Sequence, residues 1–258
     1  MPEARAPETP ILKLSGIGKN YGAVTALEGV DLEVRRGEVL AICGDNGAGK
    51  SSLIKIISGA QSPGAGGMEL KGGAVAFGSP HDALTKGVAT IYQDLALAPR
   101  LSIFENVFMG AELTRGIGLP FFKVLDKPRM AEQARRYLSR LAVEMDDMRR
   151  PVEGLSGGQR QAVAISRALL WNAELIIMDE PTAALGVKET AQVLDLIQRL
   201  KAEGHTIILI SHNMSDVVKV ATRVVILRAG RKIIDRDIGD LTPTELSEMI
   251  MTGRDRAH

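Results

Sequence analysis

Hydrophobic and polar positions alternate near the start of the chain and give way to short apolar runs further along. The alternation in ILKLSGIGKNYG (11–22) and GVDLEVRRGE (29–38) is typical of half-buried antiparallel strands. Three late runs separated by helical segments, ELIIMDE, TIILISH and RVVILRAG, predict a parallel α/β core. Further strand-like runs are EVLAICG (38–44), MELKG (68–72), AVAFG (74–78) and ATIYQ (89–93). Residues 100–172 have mainly helical spacing, which predicts an insertion into that core.

The stretch CGDNGAGKSS (43–52) concentrates three glycines, a lysine and two serines between a predicted strand and a predicted helix. Its spacing, G-x-x-x-x-G-K-S, is typical of a loop whose backbone N–H groups surround phosphate oxygens. The alternative is a glycine-rich turn before an ordinary helix, but the strand and helix on either side favour nucleotide binding. Lys50 would reach the outer phosphates and Ser51 would ligate magnesium. The predicted loop contacts are Gly44, Asp45, Asn46, Gly47, Ala48, Gly49, Lys50, Ser51 and Ser52.

Two carboxylates end the apolar run ELIIMDEP (174–181). Ligands bind at the carboxyl ends of parallel strands, so Asp179 is a candidate magnesium ligand, usually through water. Glu180 would orient and polarise the attacking water. The alternative is an acidic strand end at the surface, which the preceding phosphate loop makes less favourable.

A second anion site is predicted at LSGGQRQ (155–161), where Ser156 has the N-cap position of a helix and two glycines follow it. One nucleotide and two phosphate-facing loops leave two possibilities open. Either both loops converge within one chain, or each chain lends its second loop to a partner.

Composition narrows the class of protein. The chain has 258 residues, 45% hydrophobic, which allows one large domain. Its 32 basic and 31 acidic residues are interspersed, which gives no electrostatic footprint for nucleic acid. MPEARAPETP is expected to be a disordered tail and not a signal peptide, and no apolar run is long enough to cross a bilayer. The single cysteine, Cys43, is expected to be a packed thiol.

In that order along the chain, GDNGAGKSS, IYQD, LSGGQRQ, LIIMDEP and ILISHN closely resemble the nucleotide-binding subunit of ATP-binding cassette (ABC) transporters. The resemblance covers about 11–252. It implies an α/β fold with a P-loop NTPase core and parallel sheet, an N-terminal antiparallel β subdomain and an inserted helical subdomain. The implied core is 11–93 and 160–252, and the implied helical subdomain is about 94–159, with tails at 1–10 and 253–258.

The resemblance also implies roles for residues that spacing alone does not assign. Tyr21 matches the aromatic that stacks on adenine, although it could merely cap a strand. Gln93 matches the glutamine that joins the magnesium shell and senses the membrane subunit. His212 matches the switch histidine at the γ-phosphate, although it could be an ordinary strand-end histidine. Gln93 and His212, together with Lys50 and Glu180, are the predicted catalytic residues.

The family's geometry implies how the second anion site is used. Two cassettes form a head-to-tail homodimer, and the LSGGQ of one closes over the ATP of the other. The predicted contacts are Ser156, Gly157, Gly158 and Gln159. One position departs from the pattern, because most members have an aspartate where this chain has Gly186. Backbone groups are expected to take over its part in communication between the ATP sites.

DEPTAALGVKETAQVL (179–194), FENVFMGAEL (104–113) and SHNMSDV (211–217) are similar to cassettes of ribose-, xylose- and fructose-type importers. The resemblance implies an ATPase, with ATP and Mg²⁺ as cofactors, that powers import of a monosaccharide. Its implied partners are multispanning permease subunits and, indirectly, a sugar-binding protein, with no nucleic acid. It is expected to be peripheral, on the cytoplasmic face of the inner membrane. Alternatives are an amino-acid importer, a lipid exporter or a non-transport cassette.

Six of the nine aromatic residues fall between 92 and 137. They either fill the core of the helical region or line a groove that receives a helix of the membrane subunit. Phe121 and Phe122 follow the loop-like GIGLP and are the better candidates for exposure. The six are Tyr92, Phe104, Phe108, Phe121, Phe122 and Tyr137.

Overall fold

The computed structural model describes residues 9–116 and 123–255. In chain order, the strands in these ranges are β1 (Leu12–Tyr21), β2 (Val24–Val34), β3 (Val39–Cys43), β4 (Ala65–Leu70), β5 (Gly73–Val75), β6 (Val88–Ile91), β7 (Thr114–Gly116), β8 (Lys123–Leu125), β9 (Leu175–Asp179), β10 (Thr206–Ile210), β11 (Arg223–Arg228) and β12 (Arg231–Asp237). The helices are α1 (Lys50–Ile57), α2 (Pro80–Thr85), α3 (Ile103–Val107), α4 (Lys127–Arg140), α5 (Gly157–Leu170), α6 (Val187–Ala202), α7 (Met214–Val220) and α8 (Pro243–Thr252).

The first strands form an antiparallel sheet in the order β2-β1-β4-β5, which confirms the interpretation of the alternating segments. Its buried positions, among them Leu12, Leu14 and Ile17, pack with the side chains of α1 and one face of the larger sheet. This sheet therefore lies against the strand and helix that enclose the phosphate loop.

The larger sheet has the order β12-β11-β3-β10-β9-β6. Its neighbours are parallel except for β12, which pairs antiparallel with β11. All five residues of β3 and of β10 are buried, as expected for strands covered on both faces. The predicted parallel α/β core is confirmed, and its five parallel strands have their carboxyl ends at one edge.

The helices α3, α4 and α5 lie between β6 and β9 in the chain, in agreement with the predicted helical region. Their apolar side chains share one core with a face of the large sheet that includes Ile176 and Leu209. Because α5 begins at Gly157 and runs through position 160, it belongs to both parts of the proposed domain division.

A short hairpin of β7 and β8 interrupts the helical region and was not predicted. Its six strand residues are all exposed. Because neither face of the hairpin is buried, the sequence lacks the alternation of hydrophobic and polar residues that would predict these strands. Phe104 and Phe108 are buried, which confirms the core interpretation for these two aromatics. Phe121 and Phe122 lie outside the described residues, as do most of the predicted tails.

Candidate functional site

Four predicted site segments lie at the carboxyl ends of parallel strands. The phosphate loop follows β3, Gln93 follows β6, Asp179 ends β9 and His212 follows β10. The strand registers make the ends level, because Ile210 pairs with both Ile42 and Asp179. The fold thus brings together residues that are up to about 170 positions apart in sequence, at the edge where α/β proteins bind ligands.

The three glycines of the phosphate loop all have positive φ, at 147° for Gly44, 81° for Gly47 and 105° for Gly49. At two of them, a side chain would also clash with the protein's own backbone. A Cβ on Gly44 would overlap the carbonyl oxygen of Leu227, and one on Gly49 would lie 2.7 Å from that of Ala26. Nothing lies within 4 Å of a Cβ on Gly47. Of the three, Gly47 alone faces open space, which leaves room for a ligand to approach the backbone, whereas Gly44 and Gly49 are also required by packing.

Lys50 begins α1, and its ammonium donates to the carbonyl oxygens of Gly44 at 2.6 Å and Asp45 at 3.0 Å. The loop therefore curls around its own lysine. Of the remaining loop residues, Asp45, Asn46 and Ser51 are exposed, Ser52 is partly buried and Ala48 is buried.

Glu180 has a backbone conformation that is rare for a non-glycine residue, with φ at 52°. Its N–H donates to the carbonyl of Ile210 at 2.9 Å, which continues the β9–β10 pairing one step beyond Asp179. The turn directs its carboxylate to His212, whose Nδ1 lies 2.7 Å from Glu180 Oε2. Glu180 is mostly buried, whereas the imidazole is 76% exposed. A left-handed residue at this point is the kind of local strain found at functional sites.

The carboxyl group of Asp179 has a pKa raised above its ordinary value, first by burial and then by the neighbouring charge of Glu180. Lys50 acts in the opposite direction and lowers it.

The N-terminus of α5 has the predicted cap. Ser156 Oγ accepts from the N–H of Gln159, and Gln159 Oε1 accepts from the N–H of Ser156. Gly157 and Gly158 are buried just inside the helix. Within 9–116 and 123–255, no hydrogen bond or ion pair joins residues 155–159 to the phosphate loop.

Two further predicted residues lie at the periphery. Tyr21 ends β1, is 42% exposed, and its hydroxyl contacts Gln61 Oε1. The paired strand β2 continues to Ala26 and Leu27, which border Gly49, so Tyr21 is at the tip of a hairpin beside the phosphate loop. Gln93 is exposed.

Sequence reasoning missed two contacts that α5 makes with these segments. Gln161 Nε2 donates to the carbonyl of Pro181 at 2.7 Å, directly after Glu180. Arg167 donates to the carbonyls of Leu95 and Ala96, two residues with positive φ that follow Gln93. Polar side chains inside the apolar stretch QAVAISRALL are the only signal that the sequence gives for them.

None of the helices among the described residues has the length and apolar character that crossing a bilayer requires.

Known proteins are similar to the chain over most of its length. The sequence profile of the family described as ABC transporter matches residues 27–183. The fructose import ATP-binding protein FrcA of Rhizobium meliloti is 47% identical over 248 residues, which cover 95% of each chain. The xylose/arabinose import ATP-binding protein XylG of Sulfolobus acidocaldarius is 44% identical, with 93% of each covered. The ribose import ATP-binding protein RbsA of Caldanaerobacter subterraneus is 41% identical, but the chain spans only 48% of it.

Solved structures agree. An ATP-binding cassette of an ABC transporter superposes with a TM-score of 0.81 at 26% identity, covering 95% of this chain and 98% of that one. A dimeric bacterial ABC transporter cassette gives 0.72 at 26% identity, covering 89% and 100%. The predicted fold class is confirmed. Fold, motifs and likenesses together show that the chain belongs to the ABC transporter family, as one of its ATP-binding cassettes.

Proposed function

We propose that the chain is the ATP-hydrolysing subunit of a monosaccharide importer and works at the cytoplasmic face of the membrane. The observation that carries the hydrolytic part is the Glu180 carboxylate, mostly buried, beside the phosphate loop and 2.7 Å from His212 Nδ1. The proposal that the transported substrate is a monosaccharide rests on the relatives, which are named as import proteins for fructose, xylose, arabinose and ribose.

In this proposal each site residue has one task. The loop N–H groups and Lys50 bind the β- and γ-phosphates, and the Lys50 ammonium exchanges its present carbonyl partners for phosphate oxygens. Glu180 orients and polarises the attacking water. His212 holds the Glu180 carboxylate and contacts the γ-phosphate, and Tyr21 stacks on the adenine.

A magnesium ion would neutralise charge on the β- and γ-phosphates when ATP is bound. Ser51, Asp179 and Gln93 would hold it, directly or through water. The donor set fits, because Mg²⁺ prefers oxygen ligands and takes only one or two carboxylates from a protein. The raised pKa of Asp179 also fits, since a cation would offset the burial and the neighbouring carboxylate that cause it.

The second anion site would act across a head-to-tail homodimer, with residues 155–159 of each chain closing over the ATP of the other. Two observations support this choice. Among the described residues of one chain, no hydrogen bond or ion pair joins this segment to the phosphate loop, and a similar cassette has been solved as a dimer.

A groove beside Gln93 would receive a helix of the permease. Its cavity of about 300 Å³ lies between α2, β6 and α5. His81 and Trp171 meet edge to face at its rim, with 5.4 Å between ring centroids, and Tyr92 and Arg167 line it. Because Arg167 also holds the segment after Gln93, a helix in this groove would act on the ATP site.

The experiment is reconstitution of the chain with its copurifying membrane subunits and binding protein in proteoliposomes, with ATPase activity measured against a sugar panel. We expect stimulation by one monosaccharide and none in a Glu180→Gln complex. His81→Glu should reduce copurification of the membrane subunit, whereas Glu132→Gln on the exposed side of α4 should not.

Other outcomes would identify the alternatives. Stimulation by amino acids and not by sugars would assign the chain to an amino-acid importer. ATP-driven lipid transfer would indicate an exporter. Absence of any membrane partner would leave a cassette ATPase without transport and refute the proposal.

A further inference from the structure

One carboxylate joins the first turns of two helices. Glu189 Oε1 accepts from the N–H of Gly157 at 2.9 Å, and its Oε2 accepts from the N–H of Gly186 at 3.3 Å. Gly157 is the first residue of α5, and Gly186 is the N-cap of α6. The Glu189 side chain thus bridges two glycines that are 29 positions apart in the sequence.

The two helix starts approach so closely that a side chain at Gly157 or Gly158 would displace the end of a neighbouring side chain. A Cβ on Gly157 would overlap the Cδ2 methyl of Leu185, and a Cβ on Gly158 would lie 2.9 Å from Gln192 Oε1. The glycines of residues 155–159, called the signature turn below, therefore also serve to seat this turn against α6.

A carboxylate suits this position for two reasons. Two N–H donors need two acceptor oxygens, and glutamine of nearly the same size offers only one oxygen beside an NH₂ group. Negative charge is also favoured at the N-terminal ends of helices, where the backbone N–H groups point outward.

A second contact holds the same two segments together further along α5. Gln161, which is buried, donates to the carbonyl of Pro181 at 2.7 Å. Between them, Glu189 and Gln161 fix the signature turn to residues 181–186, which directly follow Glu180.

We propose that Glu189 is a positioning residue that holds the signature turn against residues 181–186 of its own chain and so sets this turn for the partner's ATP. The inference rests on the proposed head-to-tail dimer, in which each signature turn serves the ATP held by the other chain.

The test uses Glu189→Gln, which keeps the size of the side chain but only one acceptor oxygen. Nucleotide trapped by vanadate and magnesium should fall about tenfold, the order expected for one hydrogen bond to a charged group. ATP binding without magnesium should stay within twofold, because the phosphate loop is not touched. Glu189→Asp, which keeps both oxygens, should recover part of the trapping, and Glu132→Gln on α4 serves as the matched control.

Mixed dimers then assign the defect to one side of the shared site. Lys50→Ala spoils the phosphate loop and Ser156→Arg spoils the signature turn. Glu189→Gln mixed with Lys50→Ala puts both defects in one site and leaves the other intact, so trapping should return. Mixed with Ser156→Arg, it leaves one defect in each site, so trapping should stay low.

Three results would overturn the proposal: unchanged trapping in Glu189→Gln, recovery with Ser156→Arg but not with Lys50→Ala, and recovery with neither. The last would mean a general loss of structure, which the melting temperature measures independently. The pair Lys50→Ala and Ser156→Arg contains no change at 189 and tests the dimer alone. If that pair fails to recover once subunit exchange is verified, the head-to-tail dimer fails, and the role of Glu189 toward the partner's ATP fails with it.

Discussion

At the scale of single residues, the site depends on a few side chains held in unusual surroundings. Glu180 takes a left-handed backbone conformation and contacts His212, and Lys50 is bound by the carbonyls of its own loop. Cys43, at the end of β3, is buried where no thiolate could be solvated. These features lead to predictions that can be measured.

Glu180→Gln keeps the size of the side chain and the neighbouring Asp179 but removes the negative charge that polarises water. ATP should still bind, while turnover falls by about 10²-fold or more. The checks are equilibrium binding of a fluorescent ATP analogue and steady-state phosphate release. Near-normal hydrolysis would remove Glu180 from this role.

Burial raises the pKa of the Cys43 thiol from its ordinary 9.0 to about 12. Below pH 9 the thiol is neutral in both the folded and the unfolded chain, so its contribution to stability is fully present. Between pH 9 and 12 only the unfolded chain loses the proton, so the free energy of unfolding should fall by up to about 1.4 kcal/mol per pH unit.

The effect is measured by urea unfolding of the native chain and of Cys43→Ala across this pH range. Other groups titrate in both proteins, so the difference between the two pH dependences belongs to Cys43. If the free energy of unfolding fell equally steeply with pH in the two proteins, the prediction would be wrong. The folded thiol should also resist aromatic disulfide reagents at pH 8 until urea unfolds the chain.

At the scale of elements, the phosphate loop and α5 each combine a binding task with a packing task. Gly49 separates α1 from Ala26 of β2, whereas Gly47 faces open space. On α5 the signature turn, Gln161 and Arg167 contact three different segments of the site. One helix therefore relates the groove, the Glu180 turn and the signature turn.

Alanine at Gly49 and at Gly47 should separate packing from binding. Both must adopt a positive φ, which costs roughly 1–2 kcal/mol. At Gly49 the new Cβ also lies 2.7 Å from the Ala26 oxygen and 2.8 Å from Leu27 Cδ2, which adds about 1–3 kcal/mol of overpacking. Urea unfolding without nucleotide should show the larger loss for Gly49→Ala. Equal losses would mean that β2 yields to the new methyl group.

At the scale of the whole molecule, the two predicted anion sites lie on different elements. The phosphate loop is at the carboxyl edge of the large sheet, and the signature turn is hydrogen-bonded to Glu189 of α6. In the proposed head-to-tail dimer a second chain completes each site, and the charges, nearly balanced at +1, do not hinder its approach.

Lys50→Ala and Ser156→Arg homodimers should each trap little nucleotide with vanadate, because every shared site contains one defect. Mixing them should restore trapping, since both defects then fall in one site and the other is intact. If the two loops instead serve the same ATP within one chain, mixing cannot help. Trapped radiolabelled nucleotide per dimer is the readout, with subunit exchange followed through a tagged chain.

The sequence by itself determined the features whose signal is local. β3, the phosphate loop and α1 follow one another within 20 residues, and glycine spacing, apolar spacing and the stop at Gly59 describe them almost completely. The capped start of α5 at Ser156 is equally local, because a cap is built from residues three positions apart. The assignment of Tyr21, Gln93 and His212 depended on family resemblance.

The tertiary structure alone decided which distant groups touch. Glu180 and His212 are 32 positions apart, and only the pairing of β9 with β10 brings them within 2.7 Å. The contact of Glu189 with Gly157 likewise depends on how α5 packs on α6, as does the close approach of the Leu185 side chain to this glycine. Local spacing reports the conformation of a segment, whereas strand order and helix packing determine its neighbours, and these follow from the burial of the whole chain.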